Sequence, residues 1–119
     1  MRVKTIAMLR KRADITREAF IDYYETRHAP LILSLLPGIA EYRRNFCSFD
    51  AAFVNEDAAP FDFDVVTELW FEDRAAYDRM LEVAARPEIA QRIADDEANM
   101  CDRSGTRMFV VEERASPLA

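Results

Sequence analysis

His28 is the chain's one histidine, and it lies in Tyr23-Tyr24-Glu25-Thr26-Arg27-His28-Ala29-Pro30-Leu31, where a helical pattern meets a proline. Its imidazole changes charge near neutral pH, so general acid or base chemistry falls most readily to this residue. Proline disfavours helical geometry at Ala29, which predicts His28 at the end of a helical turn. Free carbonyls there, with Glu25 one turn back, favour an imidazolium. Two roles stay open on the residues alone: a proton-transfer group, or a helix-end cap bonded to those carbonyls.

Other chemistry-bearing residues are scattered. Tyr23, Tyr24 and Tyr42 can supply a phenolic hydroxyl and an aromatic wall for a planar ligand, or serve as core residues with a wet tip. Asp64, Glu68 and Trp70 share one strand face, where a buried carboxylate beside an indole would have a raised pKa. For Glu68 the favoured alternative is a dimer-interface ion pair with Arg2, Lys4 or Arg44. Asp95-Asp96-Glu97 is an acidic run of the kind that marks a solvated helix face. Cys47 and Cys101 fit neither a CxxC motif nor a disulfide framework and read as free packing thiols, which predicts a cytoplasmic protein. One histidine with scattered carboxylates offers no metal-ligand spacing, and although His28 alone could ligate haem, nothing else in the sequence asks for it. The two glycines, Gly38 and Gly105, read as helix ends rather than a phosphate loop. No cofactor is therefore expected.

With 119 residues, half of them hydrophobic, the chain is read as one domain over 1–119 with a sizeable core. Lys and Arg number 16 against 22 Asp and Glu, and the net charge of -6 argues against nucleic acid or an acidic membrane as partner. Arg10-Lys11-Arg12 reads as a solvated loop. No apolar run approaches the roughly 18 residues of a membrane span, and Met1 to Ile6 enters a strand pattern rather than a signal peptide.

Positioning these groups requires a regular frame. Residues 2–10 carry apolar groups on both alternating sets, Val3/Ala7/Leu9 and Ile6/Met8, a strand covered on two sides. Thr16 is a helix N-cap, with Ile15 and Phe20 as a hydrophobic staple, and the helical pattern runs past a break at Pro30 to Leu35 and stops at Pro37-Gly38. A second strand covers 39–47, a loop Asp50–Pro60, and a third strand 63–71 with Phe63, Val65, Thr67, Leu69 and Phe71 on one face. A loop of that length is often functional or mobile. Asp73 caps a further helix, Pro87 opens another that runs to Gly105, and a last strand covers 106–113. The order is βαββαβ, the ferredoxin-like α+β fold: a four-stranded antiparallel sheet with helices on one face. The other face, with Ile6, Met8, Val66 and Trp70, predicts a homodimer closing face to face into an α/β barrel.

The pieces Ile6 to Arg12, Thr16 to Phe20, Tyr23 to Leu31, Leu36-Pro37-Gly38, Tyr42 to Asn45, Glu68 to Phe71, Asp96-Glu97 and Phe109 to Glu113, in this order and spacing, make the chain resemble the EthD family of the dimeric α/β barrel superfamily. The resemblance places the family's histidine at His28 and its acidic position near the end of the last helix at Asp96. It implies chemistry on aromatic or polyketide-like oxygenated compounds without fixing the reaction. The leading expectation is a cofactor-independent lyase acting on a small aromatic or keto compound. In it His28 is the acid or base, Asp96 and Tyr42 assist, and Tyr23, Tyr24, Asn45, Glu68 and Trp70 bind substrate. The alternatives are a non-catalytic accessory protein serving an oxygenase, and a cofactor-free or haem-dependent monooxygenase.

Overall fold

Alternation of apolar and polar residues builds the sheet, and the buried set decides which side the helices cover. In the computed structural model, which describes residues 1–118, the strands are β1 (Val3–Lys11), β2 (Ile39–Phe46), β3 (Val65–Phe71) and β4 (Cys101–Val111). They form one sheet in the order β2-β3-β1-β4, and every neighbouring pair is antiparallel. In β3, Val65, Thr67, Leu69 and Phe71 are buried while Val66, Glu68 and Trp70 are half-buried, and β1 buries Thr5, Ala7 and Leu9. These rows face the helices. The ferredoxin-like reading therefore holds.

Helix α1 (Arg17–Tyr23) starts where Thr16 accepts a hydrogen bond from the Ala19 amide, and α3 (Arg74–Ala84) where Asp73 accepts one from Ala76. Helix α4 (Pro87–Glu97) opens on Pro87, whose missing N–H would have no intrahelical partner there. Phe20, Tyr24, Val65 and Met100 centre one part of the core, and Phe71, Tyr77 and Met80 the other.

Three local expectations are corrected. The helix does not break at Pro30: Ala29 is helical at φ -60, ψ -45, and the chain passes from α1 through a π turn (Tyr24–His28) into α2 (Ala29–Leu35). Proline brings a ring that crowds the carbonyl four residues back, and the wider turn, closed by Ala29 N–H to the Tyr24 carbonyl, accommodates it. The last strand begins at Cys101 rather than 106, so Gly105 is a strand residue and not a helix end. Its place is set by close approach: a Cβ there would meet Arg10 Cβ at 2.6 Å, beside the register shift between Met8 and Arg10. Only Gly38 closes a helix, at φ 82. Lys11 belongs to β1, and its ammonium donates to the carbonyls of Arg12 and Ile15 rather than to solvent.

Candidate active site

The π turn carries His28 and Tyr24 on its inner side, and the end of α4 brings Asp96 against them. Asp96 extends the apolar row Ile89, Ile93, Met100 of the second helical stretch, as does Glu97. His28 Nδ1 lies 2.6 Å from Asp96 Oδ2, with the side chains only 4% and 8% exposed. Tyr23 donates its hydroxyl to the other carboxylate oxygen at 2.8 Å, and Asn99 donates to the Tyr23 oxygen at 3.0 Å. His28 is thus not a cap on helix carbonyls. Glu25 is turned to Arg44, 3.2 Å from its Nε.

An ionised carboxylate only accepts, so this contact assigns the proton of a neutral ring to Nδ1 and leaves Nε2 as acceptor. Among the described residues Nε2 has no protein partner, and no fully enclosed side-chain N or O lacks one. Nε2 therefore borders open space. That space is a cavity of ≈ 330 Å³ lined by His28, Tyr24, Tyr42 and Thr67 with apolar side chains such as Leu9, Ile32 and Met108. Its volume is at the lower end of the range for small-molecule sites.

Hydroxyls make the second polar group of the cavity. Tyr42 donates to the Tyr24 oxygen at 3.0 Å, and Tyr24 and Thr67 share a hydrogen bond of 2.7 Å. The Tyr24 ring meets the imidazole edge-on, with centroids 4.8 Å apart. Burial raises the Tyr24 phenol to about 12 and pushes Tyr42 well above its ordinary value, so both stay protonated at neutral pH. A third polar group is Glu97, which is buried at the cavity and accepts from Arg103 Nε at 3.1 Å.

The structure brings together His28, Asp96, Tyr24 and Tyr42, with Tyr23 behind the carboxylate rather than in the cavity wall. Asn45, Glu68 and Trp70 are not part of this cluster; they stand on the other face of the sheet. There Glu68 pairs with Lys4 of its own chain at 2.7 Å and accepts from Asn45 at 2.9 Å, while Arg2 goes to Glu41. Lys4 also lies 5.2 Å from the centre of the Trp70 ring. The Asp50–Pro60 loop does not line the cavity either.

Among the polar lining residues, Thr67, Glu97, Arg103 and Thr106 are the ones that sequence reasoning passed over. The signal for Thr67 was a hydroxyl inside an otherwise apolar alternating row, and for Glu97 its place on the apolar row of α4. Of the acidic run only Asp95 is exposed. A second cavity, ≈ 360 Å³, lies by Lys11, Arg17, Cys47 and Asp64, but its polar groups hold the frame: Asp64 accepts from the Lys11 amide and Arg17 donates to the carbonyls of Phe46 and Cys47. Burial pushes the Cys101 thiol up to about 12, and the same cause raises Cys47, so neither is a ready nucleophile. Among the described residues no three His, Cys, Asp or Glu side chains are grouped to hold a metal ion.

A βαββαβ sheet with an imidazole–carboxylate pair under its helices defines a ferredoxin-like α+β protein with a histidine–aspartate pair beside its cavity. The EthD domain model matches residues 12–104, and the chain belongs to the EthD family. Its fold is similar to that of an EthD family protein of Bacillus halodurans C-125, BH0200, at 20% identity and a TM-score of 0.60, covering 96% of this chain and 100% of that one. SnoaB of Streptomyces nogalater, a cofactor-independent oxygenase, is similar at 15% identity and TM-score 0.55, covering 97% and 95%. A dimeric ferredoxin-like protein of unknown function from Jannaschia sp. CCS1 is similar at 20% identity and TM-score 0.56, covering 95% and 100%. No curated protein matches the sequence. Among the described residues no helix is long and apolar enough to cross a membrane.

Proposed function

We propose that this protein is a small enzyme performing proton-transfer chemistry on an aromatic or polyketide-like oxygenated compound, without a resident cofactor. One observation carries the reading: His28 lines the cavity with Nε2 free of protein partners among the described residues, while Nδ1 is held 2.6 Å from a nearly buried carboxylate. Nε2 takes a proton from an acidic C–H or O–H of the ligand, and Asp96 stabilises the imidazolium that results. Returning that proton to a leaving hydroxyl completes a dehydration; returning it to carbon completes a decarboxylation or aldol-type cleavage. Asp96 orients the ring, and Tyr23 and Asn99 hold Asp96.

A second reading takes its support from the likeness to SnoaB: the same base would deprotonate a phenol, whose carbanion form reacts with oxygen. Turnover of a panel of phenolic and keto-aromatic compounds, followed by mass spectrometry and an oxygen electrode, separates the two. Product without oxygen uptake supports the lyase, and uptake supports the oxygenase. Binding without product for every compound supports an accessory, ligand-carrying role. A His28→Ala protein that turned over the substrate as the parent does would contradict both catalytic readings.

The functional unit in this proposal is a homodimer joined through the uncovered sheet face. Ile6, Met8, Val66 and Trp70 are only half-buried there and Phe109 is 43% exposed, and the Jannaschia protein is dimeric. Free thiols at Cys47 and Cys101 fit a cytoplasmic setting.

A further inference from the structure

The hydroxyl chain beside the acid–base pair carries one more proton than its internal hydrogen bonds use. Tyr42, Tyr24 and Thr67 carry three hydroxyl protons but make two hydrogen bonds with one another, and none of the three hydroxyls has another protein partner among the described residues. Tyr42 is a donor to Tyr24. The surplus proton therefore sits on Thr67 if Tyr24 donates to it, or on Tyr24 if Thr67 is the donor. All three residues line the cavity that His28 borders, and its other walls are largely apolar.

We infer that the Tyr42–Tyr24–Thr67 chain is an oxyanion subsite, which gives its surplus hydrogen bond to a carbonyl, enolate or phenolate oxygen of a ligand whose reacting hydrogen faces His28. This rests on the acid–base reading of His28 and narrows its substrate class to enolisable or phenolic carbonyl compounds, a β-hydroxy ketone among them. In the reaction Nε2 takes the α-proton and the C–H electron pair moves to the carbonyl oxygen, where the hydroxyl chain meets the new charge. The enolate then collapses, the C–O bond of the β-hydroxyl breaks, and that oxygen leaves as water with the proton from the imidazolium. The ketone loses one water and nothing is oxidised or reduced. A preorganised donor acts mainly on the developing charge, and each hydroxyl polarises the next along the chain. Because burial keeps both phenols protonated, the chain remains a donor across neutral pH.

The binding test needs no substrate. 4-Nitrophenol is titrated into the protein by absorbance above and below its own pKa, with 4-nitrotoluene as a neutral probe of cavity shape. The parent protein should bind phenolate in preference to phenol. Tyr24→Phe/Tyr42→Phe/Thr67→Val, which removes every hydroxyl together at nearly constant shape, should weaken phenolate binding about tenfold or more and leave 4-nitrotoluene unchanged, since a hydrogen bond to a charged group is the stronger kind. Restoring Thr67 alone should recover part of the loss. Equal phenolate binding by parent and triple variant would overturn the inference. If the triple variant no longer holds 4-nitrotoluene, the His28→Gln protein decides: preference for phenolate over phenol without the imidazole supports the subsite, and loss of that preference overturns it. His28→Gln should keep the phenolate preference and lose turnover. Were it to keep both, the base reading fails while the subsite stands.

Discussion

Two charge-bearing contacts of nearly equal length lie on opposite faces of one sheet. Under the helices, His28 and Asp96 meet at 2.6 Å with 4% and 8% of their side chains exposed; on the uncovered face, Lys4 and Glu68 meet at 2.7 Å with 12% and 21% exposed. Distance does not distinguish them, but surroundings do. The inner pair has a reserved second carboxylate contact from Tyr23 and a cavity at the free imidazole nitrogen. The outer pair is one link of a chain that includes Asn45 and Glu113, with Trp70 under the ammonium. A buried contact without redundancy is suited to moving one proton, whereas a shared surface network serves to hold strands in register and to meet a partner surface.

Loss of function should be the largest difference. His28→Ala should lower turnover of the substrate about 10²- to 10⁴-fold, the usual worth of a positioned acid–base group, while Glu68→Gln on the other face leaves the rate within a factor of about two in the same steady-state assay. Stability should follow in the same order. Asp96→Ala leaves a buried imidazole N–H and the Tyr23 hydroxyl without their acceptor and should cost about 2 to 3 kcal/mol in urea unfolding. Glu68→Ala should cost about 1 kcal/mol or less, and salt should shrink that difference.

Acid pH offers a finer cut. The Lys4 ammonium, then Asn45, hold the Glu68 carboxyl below the usual carboxylate range, while Glu113 and Glu68 hold Lys4 above the usual ammonium range. A lowered carboxyl contributes stability above its unfolded pKa, about 4.3, and loses it as pH falls through the lower folded value. The Tm gap between parent and Glu68→Gln should therefore be full at pH 6 to 7 and close on acidification. At the alkaline end the sign reverses: the Lys4 contribution is complete below the unfolded lysine pKa and fades as pH rises through its raised value. The smallest effect concerns thiols. At pH 8 an alkylating reagent should label Cys47 slowly and Cys101 more slowly still, because Cys101 is buried and held up at about 12; equal labelling would show that β4 opens.

Much of this frame was legible in the alternation of β1 and β3 and in the caps Thr16 and Asp73, because period-two and period-3.6 patterns report burial directly. Asp96 was harder to read. An acidic triplet looks solvated until its two inward positions are set on the apolar row of α4, and the partner that makes burial tolerable, His28, is 68 residues away. Pro30 misled for a related reason: a local rule forbids the ordinary turn but does not announce the wider one that tertiary packing selects. Gly105 reads as the end of the helical stretch opened by Pro87, yet pairing of Cys101 and Asp102 with Lys11 and Arg10 keeps the segment in an edge strand where polar side chains reach water. Which face Asn45, Glu68 and Trp70 serve depended on where the helices lie, which strand alternation alone does not say.

The central claim is that His28 is fixed through Nδ1 and works through Nε2. Because the chain has one histidine, long-range ¹⁵N–¹H spectra of the ring need no assignment by mutation. At a pH where the ring is neutral, the account predicts a protonated Nδ1 and a bare Nε2, with the Nε2 signal moving when a phenolic or keto-aromatic compound binds. A proton on Nε2 with Nδ1 bare, and signals indifferent to every compound, would contradict it.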